Sequence, residues 1–229
     1  MSPASCLIVT IDGPSGSGKG TISRAVARHA GWHLLDSGAL YRLVALAGMA
    51  AGVARQDAPR HAQLAAGMQV EFGSGADGEE QVRLDGRDVT REIRSEAAGQ
   101  GASRVAAWPA VRTALLTRQR AFARPPGLVA DGRDMGTVVF PGAQLKVYLT
   151  ATAEERALRR HKQLKNKGSD VSLPALSREI AERDLRDQTR QVAPLKPAPD
   201  ACVIDSTGLS IGAVVGKVLE LGAARRMWP

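Results

Sequence analysis

The run Leu7-Ile8-Val9-Thr10-Ile11, followed after Asp12 by Gly13-Pro14-Ser15-Gly16-Ser17-Gly18-Lys19-Gly20-Thr21, decides the fold. The apolar and β-branched residues read as a buried strand, the glycine-rich segment as a loop, and the residues from Lys19 onward as a helix. A strand that feeds such a loop into a helix N-terminus makes a phosphate cradle. Glycines let backbone N–H groups face inward, the helix dipole presents its positive end, and Lys19 reaches the β- and γ-phosphates. Gly13, Pro14, Ser15, Gly16, Ser17, Gly18, Lys19, Gly20 and Thr21 are therefore the candidate residues for a nucleoside triphosphate. The loop departs from its commonest form in one respect: Gly20 follows Lys19, and the hydroxyl arrives only at Thr21.

Outward from this loop, Lys19 to His29 reads as a helix with Ile22, Ala25 and Val26 on one face. Trp32-His33-Leu34-Leu35 reads as a short buried strand ending in Asp36-Ser37, a natural helix cap. Leu40 to Ala51 repeats apolar residues at helical spacing, and the region of Gly52 and Pro59 closes it. Pro109 to Phe122 is helical again, with Pro at a permitted first-turn position and Pro125-Pro126-Gly127 as its stop. Leu128-Val129-Ala130-Asp131, Leu145 to Leu149 and Val203-Ile204-Asp205 are three further buried strands, each followed by a helical run. Five strands alternating with helices predict an α/β fold with a doubly wound, five-stranded parallel sheet, whose ligands lie beyond the carboxyl ends of the strands.

Between about Gln63 and Ser103 the pattern changes to short alternating runs: Met68-Gln69-Val70-Glu71-Phe72, Gln81-Val82-Arg83-Leu84 and Arg87-Asp88-Val89. Gly73-Ser74-Gly75-Ala76-Asp77-Gly78 and Asp85-Gly86 separate them, so antiparallel hairpins are expected, as a small insertion into the α/β core. The 229 residues, 44% of them hydrophobic, suffice for one core with such an insertion. The apolar segment Cys6 to Ile11 is far too short to span a bilayer and no leader pattern precedes it, so a soluble cytoplasmic protein is expected. Cys6 and Cys202 read as buried reduced thiols, with no metal assigned to them. An excess of 31 Lys+Arg over 23 Asp+Glu gives a net charge of +8, yet aromatics are only 3% and do not interleave with basic residues. The stacking platforms of a single-strand nucleic-acid binder are thus missing, and small polyanions are the expected partners.

Polar residues that could carry chemistry fall at strand ends. Asp131 ends an apolar strand, where a carboxylate can organise a hydrated magnesium ion near the phosphates, or serve only as a cap or turn former. Asp131-Gly132-Arg133-Asp134-Met135-Gly136 sets an Arg and an Asp between glycines, free to turn into a crevice. In Glu182-Arg183-Asp184-Leu185-Arg186-Asp187-Gln188-Thr189-Arg190, the residues Arg183, Asp187 and Arg190 fall at i, i+4 and i+7, so two guanidiniums flank one carboxylate on a helix face. A solvated helix with local ion pairs would look the same, and so would the run of Arg156, Arg159, Arg160, Lys162, Lys165 and Lys167. His29, His33, His61 and His161 show no ligand spacing.

Taken together, these segments resemble the bacterial cytidylate kinases, within the nucleoside monophosphate kinase family. The likeness rests on Ile11 to Thr21, on Leu35-Asp36-Ser37-Gly38-Ala39-Leu40-Tyr41-Arg42, on Ala130 to Pro141 and on Glu182 to Arg190, in order over nearly the whole chain. It implies a P-loop kinase core of residues 1–62 and 104–229, with a helical lid at about 153–177, and a CMP-binding insertion at 63–103. It also implies roles. Ser37, Tyr41 and Arg42 would surround the CMP ribose and phosphate, and Ser103, Arg112 and Asp134 would meet the cytosine. Arg133, Arg183 and Arg190 would clamp phosphates or the acceptor, Asp187 would touch the sugar, and Arg159 would be a lid arginine approaching ATP. Lys19, Arg133, Arg183 and Arg159 would be the catalytic group, ATP would act with Mg2+, Asp131 would hold that ion through water, and the protein would be a monomer that binds neither nucleic acid nor membrane.

Two other classes are weighed against this. A switch GTPase or a P-loop ATPase motor would need Asn-Lys-x-Asp or a nucleotide-gated partner surface, and the chain's only asparagine stands in Asn166-Lys167-Gly168-Ser169-Asp170, with the wrong spacing. A nucleic-acid module has only the net charge in its favour. Within the kinases, UMP, AMP or shikimate remain alternative acceptors.

Overall fold

Val9 and Ile11 alternate with Thr10 on the first strand, and both are fully buried. With Val129, Leu145, Val147 and Leu149 they form one apolar face, covered by Ile22 and Val26 of the first helix and by Val214 and Val218 of the last. Burying each such side chain contributes about 2 kcal/mol, which is what holds these helices to the sheet.

The computed structural model describes residues 6–74, 80–166 and 171–228. They fall into two compact units, one made of the chain up to Asp36 and from Gln119 onward, the other of Ser37–Arg118. The first contains β1 (Leu7–Asp12), α1 (Lys19–Ala30), β2 (His33–Asp36), β6 (Gly127–Gly132), β7 (Leu145–Thr150), α6 (Ala153–Lys165), α7 (Leu173–Thr189), β8 (Cys202–Asp205) and α8 (Ile211–Ala223). The second contains α2 (Ser37–Ala50), α3 (Ala58–Gly67), β3 (Val70–Ser74), β4 (Glu80–Leu84), β5 (Arg87–Asp88), α4 (Glu96–Val105) and most of α5 (Pro109–Arg120).

In the first unit the five strands are all parallel, in the order β2-β6-β1-β7-β8. Register puts Asp12 opposite Gly132 on one side and opposite Tyr148 on the other, and Asp36 opposite Asp131. The carboxyl ends of the central strands are therefore level, and the loops that leave them converge. Every residue of β6 is buried, as expected for a parallel strand covered on both faces. Met227 completes the core, and Trp228 sets its ring edge-on to Trp32 at 5.8 Å between centroids.

The second unit holds the antiparallel sheet β3-β4-β5. Asp85 and Gly86 both take positive φ, 49° and 80°, and make the two-residue hairpin turn between β4 and β5. The turn expected between β3 and β4 lies, over residues 75–79, outside the described residues.

Four expectations need correction. Pro59 does not close a helical region but opens α3, whose cap Asp57 accepts the Arg60 backbone N–H at 3.0 Å. Proline is tolerated there because a first-turn N–H has no intrahelical partner. The stretch before Ser103 is also not all hairpin. Ser95 caps α4 by accepting the Ala98 N–H, and its two glycines, poor helix formers, hide the helix in the sequence. Packing explains one of them, since a Cβ on Gly101 would stand 2.7 Å from Ala45 Cβ of α2. Moreover, no α-helix follows β6. Met135–Val139 form a single π turn, with the Val139 N–H donating to the Asp134 carbonyl at 3.2 Å and Phe140 N–H to Met135 at 2.7 Å. Cys6 and Cys202 are free, but half-buried rather than buried. The expected break at Lys167-Gly168-Ser169-Asp170 lies outside the described residues.

Candidate active site

The glycine loop leaves β1 and closes on α1. Gly13, Gly16 and Gly18 take φ of 148°, 77° and 93°, a region side chains rarely adopt, and a Cβ on Gly13 would meet the Leu149 carbonyl oxygen at 2.0 Å. Lys19, only 6% exposed, donates to the Pro14 carbonyl at 2.7 Å, and Ser17 Oγ donates to the same oxygen at 3.0 Å. Burial pushes the Lys19 ammonium pKa down, Arg133 and Arg183 push the same way, and Asp131 and Asp12 oppose them. These five residues thus share one electrostatic field.

Two arginines of α6 grip the loop from behind. Arg156 donates to the Ser15 carbonyl at 3.1 Å and to Ala151 at 3.0 Å, and its other nitrogen pairs with Asp184 of α7 at 2.6 Å. Arg159 donates to the Ser17 carbonyl at 3.4 Å and to the hydroxyl and carbonyl of Ser206 at 3.0 and 2.6 Å, with Glu155 bonded to its Nε. In a trans peptide the carbonyl and the following N–H point opposite ways. Holding the Ser15 and Ser17 carbonyls therefore turns the Gly16 and Gly18 N–H groups away from the arginines.

Near the end of β6, Asp131 is buried, and its Oδ2 lies 3.4 Å from where a Cβ on Gly20 would stand. Arg133 donates through Nε to Asp187 Oδ2 at 3.0 Å. Burial opposes both charges, but their attraction wins: Arg133 is held above its ordinary value, and Arg133, Arg183 and Arg190 hold the Asp187 carboxyl below its own. Asp134, 2% exposed, faces Arg190 at 3.6 Å. Arg190 is not a third residue on the α7 face, as the spacing predicted. The helix ends at Thr189, Arg190 is its C-cap in extended conformation, and its Nε donates to the Ala193 carbonyl.

In the second unit, Ser37 and Tyr41 are buried in the first turns of α2, with Arg42 half-buried beside them. The Arg112 guanidinium lies 5.8 Å from the Tyr41 ring centroid and donates to the Ala106 carbonyl at 3.1 Å. Ser103 of α4 is buried, and its hydroxyl has no hydrogen-bond partner among the described residues. Thr21 is exposed on α1.

Several residues around the loop were not legible as site residues. Asp12 accepts the N–H groups of Met135 and Gly136, both at 2.8 Å, while burial pushes its carboxyl up to about 7 against those two bonds. Its signal was an acid closing an otherwise apolar strand. Arg156 and Asp184 were hidden in charge runs. Tyr148 of β7 has its phenol pKa raised by burial, helped by Asp184 and Asp12 and opposed by Arg133 and Arg156.

The arrangement collects fixed positive charge, the N–H groups of a glycine loop and carboxylates at one end of a parallel sheet, which is what transfer of a phosphoryl group requires. Comparison with known proteins agrees. The cytidylate kinase family profile matches residues 9–224. A cytidylate kinase of Stutzerimonas stutzeri (strain A1501) is 58% identical over 219 residues, covering 95% of this chain and 96% of the relative. One of Methylococcus capsulatus (strain ATCC 33009 / NCIMB 11132 / Bath) is 57% identical over 214 residues, covering 93% and 96%. Among solved structures, the shikimate kinase of Acinetobacter baumannii in complex with shikimate aligns over 96% of this chain and 95% of that one, at 16% identity and a TM-score of 0.45, a distant likeness.

Proposed function

The chain belongs to the cytidylate kinase family, and from that premise we propose that it transfers the γ-phosphoryl group of ATP to CMP and dCMP, giving CDP or dCDP and ADP. The observation that carries this reading is the buried Lys19 inside a glycine loop, sharing its field with Asp131, Arg133 and Arg183. Bringing two nucleotide phosphates together concentrates negative charge, and the protein's task is positioning and electrostatic stabilisation. The loop N–H groups and Lys19 take the donor phosphates. Arg133, Arg183 and Arg190 take the acceptor phosphate, with Asp187 fixing Arg133 and meeting the sugar. The attacking phosphate oxygen is already ionised near neutral pH, so no histidine is needed as a base.

Magnesium keeps several waters and binds through one or two carboxylates plus substrate phosphates, so the single nearly buried carboxylate of Asp131 beside the head of α1 fits it. Asp131 would hold the ion through water, and the ion when bound supplies charge neutralisation across the phosphates. Ser37, Tyr41 and Arg42 act on the ribose and phosphate of CMP, with Ser103, Arg112 and Asp134 on its base; residues 63–103 are taken as the CMP-binding insertion and 153–177 as the lid. Arg159 serves the ATP phosphates through the Ser17 peptide that it holds. No helix among the described residues is long and apolar enough to cross a membrane, and the reading takes the enzyme to be a cytoplasmic monomer acting on free nucleotides.

Cytosine offers an N4 donor beside an N3 acceptor, and uracil reverses both groups. A carboxylate at Asp134 suits the first and repels the second, by roughly 10²-fold or more where the site's polar groups are left unpaired. The test is a panel of CMP, dCMP, UMP, AMP and shikimate assayed with ATP, for the wild type and Asp134→Ala. CMP and dCMP should be good acceptors and UMP poor, and the variant should lose CMP efficiency far more than UMP efficiency. Equal efficiencies in the wild type, or an unchanged ratio in the variant, would refute the assignment.

A further inference from the structure

Asp12 is the last residue of β1 and the residue immediately before the glycine loop. Its two carboxylate oxygens each accept one main-chain N–H, from Met135 to Oδ1 and from Gly136 to Oδ2, both at 2.8 Å. The bonded residues begin the π turn that directly follows Arg133 and Asp134. Gly136 is seated so closely that a Cβ there would stand 2.8 Å from Thr10 Oγ1 of β1 and 3.1 Å from Lys146 Cδ of β7. The turn therefore lies flat on the sheet, fastened at its start by one carboxylate.

We infer that Asp12 is a positioning residue for acceptor recognition: by holding the main chain at Met135 and Gly136 it fixes where Arg133 and Asp134 present their side chains, and so couples the donor loop to the reading of the acceptor base. The physical basis is a short lever. Met135 is the chain neighbour of Asp134, and its buried N–H, like that of Gly136, is costly to leave without the Asp12 oxygen that accepts it. Two such bonds in a water-poor environment set the main chain at the residue next to Asp134. A site that discriminates by paired hydrogen bonds loses selectivity when its reading group moves by a fraction of an ångström, whereas anion binding at the glycine loop tolerates such a shift. Asp12 touches no substrate in this scheme. It acts through the turn.

This inference rests on the reading of Asp134 as the base-reading residue, and the experiment separates the two. Steady-state kinetics with CMP and with UMP, together with ATP binding by titration calorimetry and thermal melting, would be measured for wild type, Asp134→Ala, Asp12→Asn and Asp12→Ala. Asn keeps one acceptor oxygen and turns an amide against the second N–H, and Ala removes both. The expected result is a stepwise loss in the ratio of CMP to UMP efficiency, about 3-fold for Asn and at least ~10-fold for Ala, from buried main-chain N–H groups left without their acceptor. Loss of the Asp12 charge also withdraws support from Lys19, so ATP affinity should fall for both acceptors alike, and the ratio of CMP to UMP efficiency alone reads the positioning role. If neither Asp12 variant folds, Gly136→Ala lifts the same turn without touching the carboxylate and should lower the same ratio. Should Asp134→Ala collapse the ratio while the Asp12 and Gly136 variants leave it unchanged, the positioning role is overturned and the base-reading assignment stands. Equal losses for CMP, UMP and ATP binding would likewise overturn it, marking Asp12 as a support of the whole fold. If Asp134→Ala itself leaves the ratio unchanged, the failure lies in the base-reading assignment, and the inference falls with it.

Discussion

Lys19 carries its charge in a place that disfavours it, buried among guanidiniums and stabilised by the carboxylates of Asp131 and Asp12. An ammonium so placed gains most when phosphate charge develops beside it. Lys19→Met should therefore lower kcat by at least ~10²-fold while CMP binding and the circular dichroism spectrum stay close to wild type; turnover above a tenth of wild type would contradict the role. Asp187 makes a different prediction, about stability. Its folded pKa lies below the ordinary 3.8, because Arg133, Arg183 and Arg190 outweigh the cost of burial. The unfolded chain thus binds a proton before the folded one does, so the pair's stabilisation is complete above the ordinary value and is lost as pH falls through the lower one. Breaking a buried pair from one side costs about 3 kcal/mol. Asp187→Asn should consequently lower Tm clearly near neutral pH, and the gap to wild type should narrow as pH falls below about 4. A gap that does not change with pH would remove the electrostatic explanation.

Helix glycines show how packing overrides propensity at the level of elements. Replacing Gly by Ala inside a helix gains about 0.5–1 kcal/mol when space permits. Gly216 of α8 has nothing within 4 Å of its would-be Cβ, so Gly216→Ala should stabilise by that amount. Gly101 of α4 is the opposite case, with Ala45 Cβ at 2.7 Å, too close for any rotamer change to relieve. Overpacking costs about 1–3 kcal/mol, which exceeds the propensity gain, so Gly101→Ala should destabilise. Chemical denaturation of both variants tests the pair, and a stabilised Gly101→Ala would show that α2 and α4 can separate freely. The α6 arginines act at the same level. Arg156→Ala frees the Ser15 carbonyl and leaves Asp184 without its cation. It should raise KM for ATP by about 10-fold, the scale of one lost charge-assisted hydrogen bond, with little effect on KM for CMP.

For the molecule as a whole, the strands were readable because each is a short apolar run bounded by turn residues, and the glycine loop because its function is written in consecutive residues. The helical lid is a proposal about the whole enzyme at work. Hydrogen exchange over residues 153–166 and 171–177, with and without a bisubstrate analogue, should show added protection, since the basic residues there gain a polyanionic partner when nucleotide binds; unchanged exchange would refute closure. The sequence by itself determined the five parallel strands, the phosphate loop and the identity of the charged residues around it, since backbone pattern and local turn chemistry are short-range properties. It did not determine which charges pair. Arg133 and Asp187 are 54 residues apart, and Asp12 and Met135 are 123 apart. In the chain, such residues look the same as solvated ones. The sheet order, with β6 inserted between β2 and β1, brings Asp12 to Met135, and the packing of α7 brings Asp187 to Arg133. Burial then decides the outcome, because a carboxylate or guanidinium shielded from water must find a partner, and tertiary packing alone fixes which partner is in reach.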